Sequence, residues 1–225
     1  MVSYIYYTRF IAKNRSFYYA EVMSENQTKE EPLKQIRDEV INLKESPLYE
    51  YRVINNYYPV IGQGSHNAKI MFVGEGPGRN EAETGVPFCG AAGKILDELL
   101  ASINLPRQEV YITNILKDRP PENRDPLPEE IKIYGPFLDR QIDIIQPEVI
   151  IPLGRFSMAY IMGRFGLKSE LKPIGQIHGQ IFSSNPLLGP SVKIIPLYHP
   201  AVSVYNANTK EDLKKDFQIL KQFMN

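Results

Sequence analysis

The sequence predicts a three-layer α/β/α fold in which helices cover both faces of a parallel sheet of four strands. The prediction depends on four short, nearly continuous apolar runs and on the helically spaced segments between them. Strands without polar alternation are usually buried on both faces, which is typical of parallel sheets. With 225 residues, of which 43% are hydrophobic and 23% charged, the chain is long enough to bury such a sheet.

The predicted elements alternate along the chain. The predicted strands are 69–75, 110–116, 149–154 and 192–198, and the predicted helices are 32–44, 91–103, 129–145 and 210–223. Thr209 and Asp212 form a capping-box-like pair at the start of the last helix. We predict a single domain over 31–225. Residues 1–30 are a tyrosine-rich appendage of unknown role, whose composition favours a hairpin on the domain edge over a partner surface.

Composition excludes several classes of protein. Lys and Arg together number 26, as do Asp and Glu, so no long-range electrostatic field indicates a nucleic-acid or membrane partner. A polyanion would have to bind at a local basic patch. A single cysteine, Cys89, excludes an internal disulfide, and three histidines add too few ligands for a cysteine-rich metal site. The sequence shows no signal segment and no apolar stretch of membrane length. We therefore expect a cytoplasmic monomer, nucleoid-associated if its source is prokaryotic.

A glycine-rich turn, 74–81 (GEGPGRNE), follows the first predicted strand, and in parallel sheets ligands bind beyond the carboxyl ends of the strands. The turn does not match a dinucleotide-binding loop, because Arg79 stands where the third glycine is needed, and 90–95 (GAAGKI) does not match a phosphate-binding loop. The turn carries two carboxylates, Glu75 and Glu81. Such a carboxylate is either a catalytic group or one that is solvated or caps a helix. For Glu75, the position between two glycines favours a catalytic role.

Two more polar residues end predicted strands. Asn114 ends the second run, and its carboxamide offers a donor and an acceptor in one plane, which suits the edge of a planar base, although such residues also tie down loops. His199 follows the fourth run and precedes Pro200, where a histidine can stabilise or transfer charge, or be structural. Because Glu75, Asn114 and His199 end three different strands, we expect them to meet in one crevice.

These motifs resemble the family 4 uracil-DNA glycosylases. The resemblance covers the chain from about residue 34 onward and includes, in order, 74–81 (GEGPGRNE), 84–100 (TGVPFCGAAGKILDELL), 110–130 (VYITNILKDRPPENRDPLPEE), 141–154 (QIDIIQPEVIIPLG) and 198–200 (YHP). It implies a uracil-DNA glycosylase-like fold on a four-stranded parallel sheet. It also implies the reaction, in which a monofunctional enzyme flips deoxyuridine out of DNA and hydrolyses its N-glycosidic bond, which releases uracil and leaves an abasic site.

The resemblance also implies roles for individual residues. Phe88 stacks on the extruded uracil, and Asn114 reads its amide edge. His199 donates a hydrogen bond to the O2 oxygen of the base. Gly76 provides a backbone donor to the base, and Glu81 supports the pocket.

The chemistry of the cleavage adds a role for a second group. Breaking an N-glycosidic bond makes the leaving base negative and the sugar positive, so a donor at O2 and a carboxylate near the anomeric carbon both stabilise the transition state. His199 supplies the donor, and Glu75 is our candidate for the carboxylate. Both Glu75 and Glu81 remain candidates for orienting the attacking water.

The family pattern places contacts with uracil-containing DNA, single- or double-stranded, in two loops. The contact residues are Arg119, Arg124, Pro200, Ala201 and Val202. Lys117 joins the two arginines in a small basic patch, which predicts modest and salt-sensitive binding. Val202, Val204 or Tyr205 stands where the family has a leucine-rich wedge, and this weaker wedge favours a single-stranded substrate.

One feature of the sequence departs from the family. Family members hold an iron–sulfur cluster with four cysteines, and the flanking motifs place Leu43, Ser46, Asp118 and Tyr134 at those positions. None of these is a thiolate ligand, and Cys89 lies outside the ligand positions. We therefore expect no cofactor and no metal, with Leu43 and Tyr134 in apolar contact where the cluster would lie.

Other functions stay open at this point. A catalytically degenerate homologue would bind DNA or a partner protein without cleavage, and a glycosylase of other preference would release hypoxanthine or xanthine. An O-glycoside hydrolase would use Glu75 and Glu81 as a carboxylate pair, but it would need no base-reading amide.

Overall fold

The computed structural model describes residues 29–184, 191–204 and 206–224, where helices cover both faces of one sheet. Most of the predicted appendage therefore lies outside the described residues. The strands are β1 (Gln63–Gly64), β2 (Ile70–Gly74), β3 (Tyr111–Asn114), β4 (Val149–Pro152), β5 (Phe182–Ser183) and β6 (Lys193–Ile194). The α-helices are α1 (Glu30–Ile41), α2 (Tyr49–Ile54), α3 (Arg79–Thr84), α4 (Ala91–Ser102), α5 (Pro128–Ile145), α6 (Arg155–Arg164), α7 (Ile174–Ile177), α8 (Pro200–Ser203) and α9 (Ala207–Ile219). Short 3₁₀ turns lie at Arg107–Glu109, Pro121–Asn123, Lys168–Glu170 and Leu220–Phe223.

The strand order within the described residues is β1-β3-β2-β4-β6-β5, in which β3, β2, β4 and β6 run parallel. These four are the predicted strands with narrower bounds. The predicted strand number is wrong, because β1 pairs antiparallel with β3 and β5 pairs antiparallel with β6, giving six strands in a partly parallel sheet. Both added strands are two residues long, which is too short to show a periodic pattern. They lie at the two edges, where short strands are common.

Alternate residues of β2 face two layers of core. Met71 and Val73 pack with residues of α1, α5 and α6, whereas Ile70 and Phe72 pack with residues of α4 and α9. Every residue of β2 is buried, as its continuous apolar run predicts. The sheet is therefore enclosed between two layers of helices, and its strand ends supply the site.

Helices α1, α4, α5 and α9 match the four predicted ones in position. The predicted cap of α9 is wrong, because Asn206 is the N-cap and its Oδ1 accepts from the amides of Asn208 and Thr209. Four further helices are six residues or shorter, and α6 has no one-sided apolar face, so the pattern did not predict them. No helix of the described residues is long and apolar enough to cross a membrane.

Candidate functional site

A buried carboxamide lies at the carboxyl edge of the sheet. Asn114 is the last residue of β3 and pairs with Gly74, the last residue of β2. Asn114 is 1% exposed, and neither its Oδ1 nor its Nδ2 has a hydrogen-bond partner among the described residues. A buried polar group without a partner costs about 1–3 kcal/mol. A ligand that paired both atoms would therefore recover that free energy.

A glycine lets an aromatic ring approach this carboxamide. A Cβ at Gly74 would lie 2.1 Å from Oδ1 of Asn114 and 2.9 Å from the ring of Phe88. Both side chains thus occupy space that a larger residue would fill. Phe88 is 4% exposed and has a φ of 51°, which is rare for a bulky residue and needs support from its surroundings.

Glu81 provides part of that support. Its Oε1 accepts a hydrogen bond from the amide of Phe88, and its Oε2 accepts one from the amide of Gly78. Gly93 in α4 allows the close approach, since a Cβ there would lie 1.7 Å from the carbonyl oxygen of Phe88. Burial raises the pKa of Glu81, and the two amide donors oppose that shift. Glu81 therefore joins the glycine-rich turn to the Phe88 loop.

His199 stacks on the ring of Phe88, with centroids 5.6 Å apart and an interplanar angle of 27°. Its Nδ1 accepts a hydrogen bond from the amide of Ala201 at 3.2 Å. In the neutral ring the proton therefore resides on Nε2. Burial lowers the pKa of His199 to about 4, so at neutral pH this histidine is an uncharged donor.

Glu75 lies beside His199. A Cβ at Gly154, which has a φ of 98°, would lie 2.4 Å from Oε1 of Glu75 and 3.4 Å from Cβ of His199. Oε1 also accepts a hydrogen bond from the amide of Phe156 at 2.9 Å. That amide is in the first turn of α6, where the helix dipole favours a negative charge. Burial nevertheless raises the pKa of Glu75.

The structure thus brings the predicted groups together in a row. Glu75 is next to His199, and His199 stacks on Phe88. The side chains of Phe88 and Asn114 both lie close to Gly74. An acid, an imidazole, an aromatic ring and an unpaired carboxamide therefore share one edge of the sheet.

Gly76, the predicted backbone donor, lies in the turn that follows β2. A Cβ at Gly76 would make ordinary contact, 3.5 Å from the side chain of Leu116. Packing within the described residues therefore does not require a glycine at this position.

The segment after His199 is the short helix α8. Pro200 is buried, whereas Ala201 and Val202 are exposed, and Val202 is 49% exposed. Val204, which follows α8, is 41% exposed. This end of the site therefore presents small apolar side chains to solvent.

The predicted DNA-binding arginines both have partners in the protein. Arg119 donates to Oη of Tyr57 at 2.9 Å and lies over the Tyr57 ring. Arg124 makes a two-point ion pair with Glu130, whose side chain is fully buried. Lys117 is wrongly predicted as part of a surface patch, because it is 0% exposed and its Nζ donates to buried acceptors.

The positions of the family's cluster ligands form a hydrogen-bonded group. The hydroxyls of Ser46 and Tyr134 are 2.6 Å apart. Tyr134 also donates to Oδ2 of Asp118 at 2.6 Å, and Arg52 of α2 donates to Oδ1 of Asp118 at 3.0 Å. Leu43 packs at the edge of the same core. Polar contacts therefore join these segments, which the apolar interpretation did not include.

These side chains do not fit an iron–sulfur cluster. Such clusters are held by thiolates, whereas the groups present are hydroxyls and a carboxylate that bind one another. Cys89 is exposed, and no group of three metal-binding side chains occurs in the described part of the chain. Arg52 escaped prediction because it lies in α2, a helix that the sequence pattern did not indicate.

Known proteins match most of this chain. The family described as "Uracil DNA glycosylase superfamily" matches residues 61–221. The chain belongs to the uracil-DNA glycosylase superfamily. The matched range of the superfamily includes every predicted catalytic and uracil-contacting residue.

Individual relatives in the superfamily match a larger share of the chain than the family range does. A type-4 uracil-DNA glycosylase of Archaeoglobus fulgidus is 44% identical over 188 residues, which are 84% of this chain and 91% of the relative. The protein of that name from Sulfurisphaera tokodaii is 42% identical and covers 84% of each chain. The one from Thermotoga maritima is 36% identical over 87% of this chain and 98% of its own.

Proposed function

We propose that this chain is a monofunctional uracil-DNA glycosylase of DNA repair, a hydrolase that cleaves the N-glycosidic bond of deoxyuridine and leaves an abasic site. One observation carries the proposal. The carboxamide of Asn114 is buried without a partner and lies close to Gly74, as does the ring of Phe88, which stacks on His199. Relatives named type-4 uracil-DNA glycosylases, 36–44% identical over most of the chain, support it.

Recognition of the base is the role of Asn114. Its Nδ2 donates to O4 of uracil, and its Oδ1 accepts from N3–H, so both unpaired atoms gain partners. Cytosine has a donor at C4 and an acceptor at N3, which leaves both atoms of the amide mismatched. Phe88 stacks on the base, and the backbone N–H of Gly76 contacts its edge.

Stabilisation of charge is the role of His199 and Glu75. As the bond breaks, Nε2–H of the neutral His199 donates to O2, where negative charge develops. Glu75 stabilises the positive charge on the sugar and orients the attacking water. Glu81 has both oxygens bound to backbone amides, which favours Glu75 for the water and makes Glu81 a positioning residue for Phe88.

The base must leave the stack before it reaches the site, which costs a few kcal/mol and is least costly in single strands. Val202 and Val204, both exposed, fill the gap left by the base, whereas Tyr205 lies outside the described residues. Arg119 and Arg124, already paired, shape the loop and contact phosphates with their remaining N–H groups. We propose that the enzyme acts as a cytoplasmic monomer and prefers single-stranded DNA.

We also propose that the enzyme works without an iron–sulfur cluster. A hydrogen-bonded network joins the segments that would otherwise hold the cluster. Its members are Arg52, Asp118, Tyr134 and Ser46. Purified protein should therefore contain no iron and show no visible absorbance. Stoichiometric iron with a visible absorption band would contradict this part of the proposal.

The function is tested by release of uracil from a synthetic oligonucleotide with one deoxyuridine. We expect release by the wild type, faster from a single strand than from a duplex, and much slower release by His199→Ala and Glu75→Ala. DNA binding by the wild type without any release would instead indicate a degenerate homologue. Faster release from hypoxanthine or xanthine oligonucleotides would indicate another base preference.

A further inference from the structure

Lys117 lies directly behind the base-reading residue and has no part in the mechanism above. It is 0% exposed and three positions after Asn114 in the chain. Its Nζ donates to the carbonyl oxygen of Asn114 at 2.7 Å and to Oγ1 of Thr113 at 2.8 Å. It also donates to Oε1 of Gln141 at 2.6 Å. Its close partners are thus neutral oxygens rather than a carboxylate.

The orientation of these partners fixes the number of protons on Nζ. Gln141 donates its Nε2–H to the carbonyl of Ile61, so its Oε1 faces Lys117 as an acceptor. The hydroxyl of Thr113 donates to the same carbonyl at 2.7 Å, so a lone pair of Oγ1 faces Nζ. The carbonyl of Asn114 can only accept. Three close acceptors therefore surround Nζ at 2.6–2.8 Å, and the carbonyl oxygen of Ile61 lies farther away at 3.4 Å.

An ammonium group supplies three N–H donors for these three acceptors. A neutral amine supplies two, and its lone pair would face a buried oxygen. Burial lowers the pKa of Lys117 well below its ordinary value. Hydrogen bonds to three close acceptors favour the charged form of a buried amine. Each of the three close acceptors therefore receives a hydrogen bond only when the amine of Lys117 is charged.

We propose that Lys117 is a positioning residue that fixes the backbone of Asn114 and holds a positive charge behind the base-reading amide, which stabilises negative charge on the departing uracil. This inference rests on the proposed function. A buried charge is little screened by solvent and ions, so it acts over several ångströms. At about 10 Å and an effective dielectric constant of about 20, such a charge changes a rate on the order of tenfold.

The test compares two leaving groups in oligonucleotides of one sequence. The fluorine of 5-fluorouracil withdraws electrons, so this base departs as a more stable anion and needs less stabilisation by the protein. In single-turnover assays, we expect Lys117→Met to slow uracil release on the order of tenfold and to slow 5-fluorouracil release several-fold less. Lys117→Arg should keep the wild-type ratio of the two rates. Thr113→Val removes one acceptor but keeps the charge, and it should also keep that ratio.

Equal losses on both bases in Lys117→Met, or a changed ratio in Thr113→Val, would show that Lys117 acts only through structure and would overturn the inference. A second measurement needs no substitution. In the ¹⁵N-labelled wild type, Nζ of Lys117 should carry three protons at neutral pH, and a neutral amine would overturn the inference. Wild-type protein that released neither base would refute the proposed function itself.

Discussion

Two polar side chains four positions apart, Asn114 and Asp118, are each 1% exposed, but their surroundings differ completely. The side-chain carboxamide of Asn114 has no hydrogen-bond partner in the described residues, whereas the carboxylate of Asp118 accepts from both Arg52 and Tyr134. Buried polar groups are almost always paired, so stability cannot explain the carboxamide. In the proposed mechanism the flipped base supplies its partners. Under the proposed mechanism, one short segment therefore has a residue for substrate recognition at one end and a residue for folding stability at the other.

The largest effect is expected at Asp118, whose hydrogen-bond partners both belong to the protein. Asp118→Ala leaves the buried guanidinium of Arg52 without a counter-charge, with only the carbonyls of Val40 and Ile41 as acceptors. We expect this change to lower the free energy of unfolding by about 3–5 kcal/mol. Chemical denaturation measures this loss. The matched control is Asp97→Ala, which removes an exposed ion pair with Arg107 and should cost less than about 1 kcal/mol. Equal, small losses in both variants would contradict the role of the Asp118 network.

A comparable effect, on the rate of uracil release, is expected from His199 in the proposed site. His199→Ala removes the donor to O2 and should slow single-turnover uracil release about 100- to 1,000-fold, equivalent to about 2.7–4 kcal/mol. His66→Ala is the control, because His66 packs on Tyr111 at the opposite end of β3 from Asn114. Its rate should stay near the wild-type value. Similar rates for the two variants would remove His199 from the mechanism.

A smaller effect is expected from pH. Burial raises the pKa of Glu75 above its ordinary 4.5 and lowers that of His199 to about 4, so Glu75 takes up a proton first as the pH falls. We expect the single-turnover rate to fall about tenfold per pH unit below an apparent pKa above 4.5. The residual activity of Glu75→Gln should lack this decline. A decline centred near pH 4 that persists in Glu75→Gln would assign it to His199.

The sequence predicted those parts of the site whose evidence is local. Apolar runs mark the parallel strands, and parallel strands end at one edge, so the order of residues alone placed Glu75, Asn114 and His199 together. The edge strands could not be predicted, because two residues have no periodicity. The contacts of Arg52 and the burial of Lys117 are set by segments distant in the chain. For this reason Lys117, a charged residue in a loop, was predicted to lie on the surface.

The most direct test of the central claim measures stability and uracil release on one preparation of Asn114→Leu. Leucine has a similar volume and no polar atoms, so removal of an unpaired amide should leave the free energy of unfolding unchanged or raise it by about 1–3 kcal/mol. Uracil release should fall about 100-fold or more, because the base loses both contacts. A variant that is less stable but cleaves at the wild-type rate would show that the protein itself needs this amide, and it would contradict the account.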